Sequence, residues 1–178
     1  KNQKKRLRGK SRSKKMRGAP IEVSGEKDAV VKVDKFMKSV NIFKCHGEKG
    51  SPGKIEVQGK CNSVQLENCS MVHLYVDTVM STVEISNCKN VKLFVKEEAS
   101  VLAVVIDKSD GCHIILNKVS GENPDFQVVA AKSSEMTLTV EVDGEKIEKP
   151  IPEQFVFKVD TSSGAPKIIS SVSDIYSH

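Results

Sequence analysis

The sequence predicts an all-β protein built as a parallel β-helix, and three observations carry that expectation. Ser63 to Val76 (SVQLENCSMVHLYV) and Thr82 to Val95 (TVEISNCKNVKLFV) superpose without a gap at a spacing of 19 residues. Val64 falls on Val83, Leu66 on Ile85, Asn68 on Asn87, Cys69 on Cys88, Val72 on Val91, Leu74 on Leu93 and Val76 on Val95. Each unit is two short runs of apolar/polar alternation joined at an Asn-Cys corner, the pattern of strands buried on one face. A fixed period near 20 residues marks a solenoid in which each repeat forms one coil. An antiparallel sandwich alternates in the same way, but it has no reason to repeat its corners in register.

The frame continues at spacings of 21 and 24 residues through Val104 to Leu116 and Val128 to Val140. Inward positions are expected at Val104, Ile106, Cys112, Ile114 and Leu116, then at Val128, Ala130, Met136, Leu138 and Val140. A less regular repeat is read in Val30 to Phe43, with Ile55 and Val57 as a third strand closing a coil. His46 to Gly53 and Gly121 to Pro124 read as loops, and Asp143-Gly144 as a hairpin turn. After Pro150-Ile151-Pro152-Glu153-Gln154 the pattern changes. Phe155, Phe157 and Val159 alternate, a Ser-Ser-Gly-Ala-Pro turn intervenes, and Ile168 to Tyr176 forms a second apolar-rich strand. An isolated hairpin of this kind is marginal until its apolar face is covered. It either caps its own last coil or exchanges with a second molecule.

Composition and charge define the remaining boundaries. The chain of 178 residues suits one domain with a real core, and its scarcity of aromatics, 4%, suits a thin solenoid interior. Residues 1–20 hold ten Lys or Arg and no acid, whereas the body from Ile21 carries a net charge of −5. The expected division is a basic, disordered tail over 1–20, a β-helix over 21–154 and a hairpin over 155–178. Such a tail suits nucleic acid or an acidic surface, although no aromatic residue is interleaved for base stacking. No stretch approaches the length of an apolar membrane span, and no signal peptide is read at Lys1.

Cys45, Cys61, Cys69, Cys88 and Cys112 are odd in number and form no C-x-x-C, so they read as reduced, buried thiols of a cytosolic protein. Cys69 and Cys88 are expected to stack on adjacent coils. Cys45-His46 lacks a second ligand pair, and no metal or other cofactor is expected. Asn68-Cys69-Ser70 matches the glycosylation sequon formally, but a corner asparagine is the simpler reading.

No catalytic residue is expected. Glu56, Glu67, Asp77 and Glu84 fall on scattered outward positions, unlike the paired carboxylates of glycoside hydrolases. Cys112 and His113 are adjacent in a strand and face opposite sides, so they cannot act as a nucleophile and base. Outward columns are expected from Gln65 and Glu84, and from His73, Lys92, His113 and Thr137, as parts of one polar face that grips a partner. The polar corner Lys132, Ser133, Ser134 and Glu135 is a further candidate contact.

Three runs in order, Asp107 to Lys118 (DKSDGCHIILNK), Val128 to Met136 (VVAAKSSEM) and Pro150 to Phe155 (PIPEQF), give the chain a resemblance to the C-terminal domain of cyclase-associated protein. That resemblance implies a right-handed parallel β-helix of about six coils, dimerised by exchange of the C-terminal hairpin. It further implies a cytoplasmic, cytoskeleton-associated protein that binds ADP-loaded actin monomer and accelerates nucleotide exchange. The candidate actin contacts, drawn from the outward column and the polar corner, are Lys92, His113, Lys132, Ser133, Ser134 and Glu135. Dimerisation would fall to Phe155, Phe157, Val159, Ile168, Ile169, Val172 and Ile175. Asp110, Gly111 and Cys112, with Pro152, Glu153 and Gln154, are the structural motif, the last three either fixing the hairpin's departure or touching a partner. The helical cyclase-binding domain, proline-rich segment and linker motif of longer members are not recognised here. A related β-helix in tubulin-folding cofactor C uses an arginine toward a bound GTPase, but Arg6, Arg8, Arg12 and Arg17 all lie in the tail.

Overall fold

The structure, a computed structural model, describes residues 18–173 apart from 35, 36, 143, 163 and 165. Most of the expected basic tail, residues 1–17, therefore lies outside the described residues, as does Ile175. The strands in chain order are β1 (Ile21–Ser24), β2 (Ala29–Lys32), β3 (Val40–Phe43), β4 (Gly53–Gln58), β5 (Val64–Glu67), β6 (Ser70–Val76), β7 (Val79–Ser86) and β8 (Lys89–Val95). They continue as β9 (Val101–Asp107), β10 (His113–Ile115), the helix α1 (Lys118–Gly121), β11 (Gln127–Ala131), β12 (Thr137–Val142), β13 (Glu145–Pro150), β14 (Phe155–Asp160) and β15 (Lys167–Val172).

Odd-numbered strands β1 to β11 form one six-stranded parallel sheet, and even-numbered strands β2 to β12 form a second, which β13 extends antiparallel at its end. Each coil therefore contributes one strand to each sheet, and six coils stack. Register follows the repeat: Val64 pairs Val83, Val83 pairs Val104 and Val104 pairs Val128. Leu74 pairs Leu93, Leu93 pairs Ile114 and Ile114 pairs Leu138. Because side chains alternate across a strand, this register sends one apolar ladder from each sheet into the interior. Val40, Ile42, Val64, Leu66, Leu74, Leu93, Ile106 and Ile114 are fully buried. Burying each such side chain contributes about 1.5–3 kcal/mol of transfer free energy.

The corners keep one backbone shape. Lys44, Asn68, Asn87, Lys108 and Lys132 all take positive φ, between 49° and 55°, at equivalent corners. Asn adopts this left-handed conformation readily. Lysine occupies it at three of the five corners, so the fold requires the bend and not the asparagine side chain. One residue further on, the N–H of Cys45 donates to Cys69 Sγ, that of Cys69 to Cys88 Sγ, that of Cys88 to Ser109 Oγ and that of Ser109 to Ser133 Oγ. Cys69 and Cys88 stack as expected, and all five cysteines are free and buried. Burial pushes the Cys61 and Cys112 thiols up to about 11. The mutual hydrogen bond raises Cys69 and lowers Cys88.

Four expectations are corrected by the packing. Ile55 and Val57 are not a third strand; they lie in β4, the second strand of the coil begun by β3. Val30 to Phe43 is not one repeat in phase, because β2 closes the first coil and β3 opens the next. Ala130 is exposed rather than inward-buried, since β11 is the edge of its sheet and, among the described residues, no seventh coil covers it. Gly121 belongs to a helical turn rather than only a loop. Asn117 Oδ1 accepts from the N–H of Ser120, while Asn117 Nδ2 donates to the carbonyls of Lys96 and Ala99. The turn is thereby pinned to the preceding coil.

Candidate interaction surface

One outward position from each of β4, β6, β8, β10 and β12 forms a continuous column. Lys54 pairs His73, His73 pairs Lys92, Lys92 pairs His113 and His113 pairs Thr137. Beside it runs a second column, in which Glu56 pairs Tyr75 and Tyr75 pairs Phe94. The Tyr75 and Phe94 rings stack at 4.7 Å, His73 meets Phe94 edge-on at 5.5 Å, and Lys54 Nζ lies 5.3 Å from the Tyr75 ring centre. The stack packs half-exposed aromatic carbon between charged side chains on an otherwise polar sheet.

His113 closes the column near β13. Its Nε2 lies 2.7 Å from Thr139 Oγ1 and 3.8 Å from Glu148 Oε2. Thr139 points outward yet is buried. Burial holds the His113 imidazole below its ordinary pKa; Glu148 pulls the other way and Lys92 adds to the depression. His73 is lowered by burial and then by Lys92.

The corner Lys132 to Glu135 leads directly into β12 and lies next to this column. Ser134 Oγ donates to Asp110 Oδ1 at 2.6 Å, and Asp110 bridges Lys89 and Ser134 across three coils. Gly111 has φ +66°, and a Cβ there would stand 2.7 Å from Asn90 Oδ1. Cys112 is buried and His113 faces outward, so the pair is separated as expected. Glu153 Oε1 accepts from the N–H of Glu135 at 2.5 Å, and the Gln154 carbonyl accepts from the N–H of Ser173. Pro150 to Gln154 with Val172 and Ser173 line a cavity of about 450 Å³ where the chain leaves the solenoid.

Beyond that junction, β14 and β15 pair only with each other in a two-stranded sheet. Phe155, Phe157 and Val159 share one face with Val172 and Ile168, and exposures reach 70% at Phe157 and 79% at Ile168. Ile169 stands opposite Lys158 on the other face, so it does not belong to the same apolar cluster.

Lys92 and His113 are therefore neighbours in one column, which Thr137 continues just after the Lys132 to Glu135 corner, while Ser133 is turned onto the Ser109 amide. Gln65 and Glu84 are not part of that surface; they pair in the other sheet and face another side. The carboxylates are also less scattered than their sequence positions suggest. Lys96 Nζ lies 2.5 Å from Glu56 Oε1 and 3.0 Å from Asp77 Oδ1. Sequence reasoning missed Lys54, Tyr75 and Phe94, although their positions in the alternating frame already marked them as outward. Among the described residues, no group of His, Cys, Asp or Glu is arranged to hold a metal, and no helix is long and apolar enough to cross a membrane.

These features define a parallel β-solenoid domain with an appended hairpin and a mixed cationic and aromatic face. A family model described as Adenylate cyclase associated (CAP) C terminal matches residues 13–175. The chain is 33% identical over 148 residues to human adenylyl cyclase-associated protein 2, covering 83% of this chain and 28% of that protein. It is 32% identical over 175 residues to human adenylyl cyclase-associated protein 1, covering 92% and 34% respectively. The crystal structure of cyclase-associated protein from Cryptosporidium parvum superposes with a TM-score of 0.65 at 31% identity, over 86% of this chain and 83% of that one. The chain belongs to the family of cyclase-associated protein C-terminal domains. It spans about a third or less of the length of these human relatives.

Proposed function

We propose that this chain binds monomeric actin in its ADP-loaded state, promotes nucleotide exchange and thereby returns monomers to the assembly pool. Membership of the family supports the partner, and the pairing of Lys92 with His113, continued by Thr137 just after the Lys132 to Glu135 corner, supports the surface. The mechanism is differential affinity: a rigid face that fits the nucleotide-open actin conformation better than the closed one shifts that equilibrium toward release. The domain acts as a binding protein with no chemistry of its own, in the cytoplasm alongside the cytoskeleton.

Two copies pair through their hairpins. The apolar face of Phe155, Phe157, Val159, Ile168 and Val172 is left uncovered within the chain, and the exposed edge at β11 leaves Val128 and Ala130 without a further coil. Placing one chain's hairpin against the other's open end covers both surfaces at once.

The test is the exchange rate of labelled ATP on purified ADP-actin monomer with and without this protein, with its mass measured by light scattering. Faster exchange from a species near twice 19.5 kDa is the expected result. Unchanged exchange together with no actin binding overturns the actin reading. A monomeric mass overturns the pairing. The ten basic residues of the tail favour a second reading, an acidic surface or nucleic acid as partner. It requires a steep salt dependence and loss of binding when residues 1–20 are removed.

A further inference from the structure

Lys54, His73, Lys92 and His113 place four basic side chains in register on successive strands, about 4.8 Å apart. Lys54 and Lys92 carry the fixed charge on alternate strands, and protonation of His73 and His113 would set like charges directly opposite one another, which a sheet disfavours. The nearby acids do little to relieve them. Glu56 is engaged by Lys96, Glu148 reaches only the His113 end at 3.8 Å, and neither Lys54 nor Lys92 has an ion pair among the described residues. Tyr75 and Phe94 stack on each other and Lys54 covers the outer Tyr75 face, so the rings present edges rather than platforms for a nucleobase. The column is a straight row of two lysines and two titratable imidazoles on a partly apolar floor.

We propose that Lys54, His73, Lys92 and His113 receive a row of carboxylates on the protein partner, and that docking is coupled to proton uptake by His73 and His113. The identity of that partner as actin rests on the reading above. In the free chain, burial and Lys92 hold both imidazoles toward the neutral form. Carboxylates brought opposite them favour the imidazolium, so the bound state takes up protons and binding tightens as pH falls through the bound-state pKa. The other groups on this face include Asp28, whose carboxylate accepts the Lys54 N–H, together with Tyr75, Thr137, Thr139, Glu141, Lys146, Glu148 and the Glu56–Lys96 pair. Glu148 already favours charge on His113, so His73 carries the larger share of the response.

The experiment titrates the full chain against actin monomer held in one nucleotide state, at pH 6.2 and pH 7.6. Binding should be roughly fivefold tighter at the lower pH, as proton uptake on binding requires. The doubly substituted His73→Gln, His113→Gln chain should show one affinity at both pH values, and Lys92→Glu should weaken binding about tenfold or more. Far-UV circular dichroism confirms that each variant is folded. Equal affinity of the unmodified chain at both pH values, the same pH response in the double variant, or unimpaired binding by Lys92→Glu each overturns the proposal. If the unmodified chain binds no actin at either pH, the actin reading fails. The column is then judged by imidazole NMR with a short poly-glutamate: raised His73 and His113 pKa values uphold it, and unchanged values overturn it.

Discussion

The backbone N–H of Cys69 donates to the thiol of Cys88 on the next coil at 3.4 Å, and the Cys88 thiol donates back to the Ser86 carbonyl at 3.2 Å. The next coil repeats the arrangement with oxygen: the N–H of Cys88 meets Ser109 Oγ at 3.1 Å, and Ser109 Oγ donates to the Asp107 carbonyl. A thiol and a hydroxyl thus do the same work inside an apolar solenoid, satisfying a corner amide that would otherwise be buried unpaired.

Cys88→Ala leaves the Cys69 amide without an acceptor and should cost about 1–3 kcal/mol. Cys88→Ser should cost less than half as much, since serine already fills the equivalent rung. Urea unfolding of both variants measures the difference, and equal losses would show that packing, not hydrogen bonding, sets the value of this site.

Leu93 is fully buried between Leu74 and Ile114 on adjacent coils. Leu93→Ala should destabilise the solenoid by about 2–5 kcal/mol through lost transfer energy and the cavity left behind. A loss under 1 kcal/mol in the same assay would mean that the coils collapse around the gap.

Phe157 and Ile168 stand on one uncovered hairpin face. With both changed to Asp, the chain should elute as a monomer while retaining its far-UV spectrum, because the solenoid interior does not include them. A dimeric mass for this variant would place the pairing elsewhere.

Lys96 holds Glu56 and Asp77 together, and its hydrogen bond keeps the Glu56 carboxyl below the ordinary carboxylate range. A depressed folded-state pKa adds stability above the unfolded value, about 4.3, and that addition disappears as pH falls through the folded value. Lys96→Met should therefore lower the urea midpoint at pH 7, and the gap from the unmodified chain should narrow as the pH is taken below 4. A constant gap across that range would mean that the Lys96 stem, not its charge, is what matters.

The coil register was legible in the sequence because side-chain direction alternates strictly along a strand. A repeat of Val64 on Val83 and Leu74 on Leu93 can bury its apolar set in only one register. The inward and outward sorting of Cys112 and His113 followed from the same rule. What the repeat does not contain is phase and neighbourhood. Whether Ile55 opened a third strand or belonged to β4, and whether Gln65 shared a face with His73, depended on where each corner turned the chain. Corner shape resides in backbone angles that Asn68, Lys44 and Lys132 adopt alike.

Tertiary structure also decided the convergence of Glu56, Asp77 and Lys96, which lie 40 residues apart at the extremes, and the burial of outward-facing Thr139 beside His113. It decided that Ala130, inward by its alternation, stays exposed, because burial needs a next coil and β11 has none. The sequence by itself determined the ladder along each strand, a local property of period two. Only the stacked coils decided which ladders stand side by side, because lateral neighbours are chosen by strand pairing across some 20 residues of chain, a distance over which local preference carries no information.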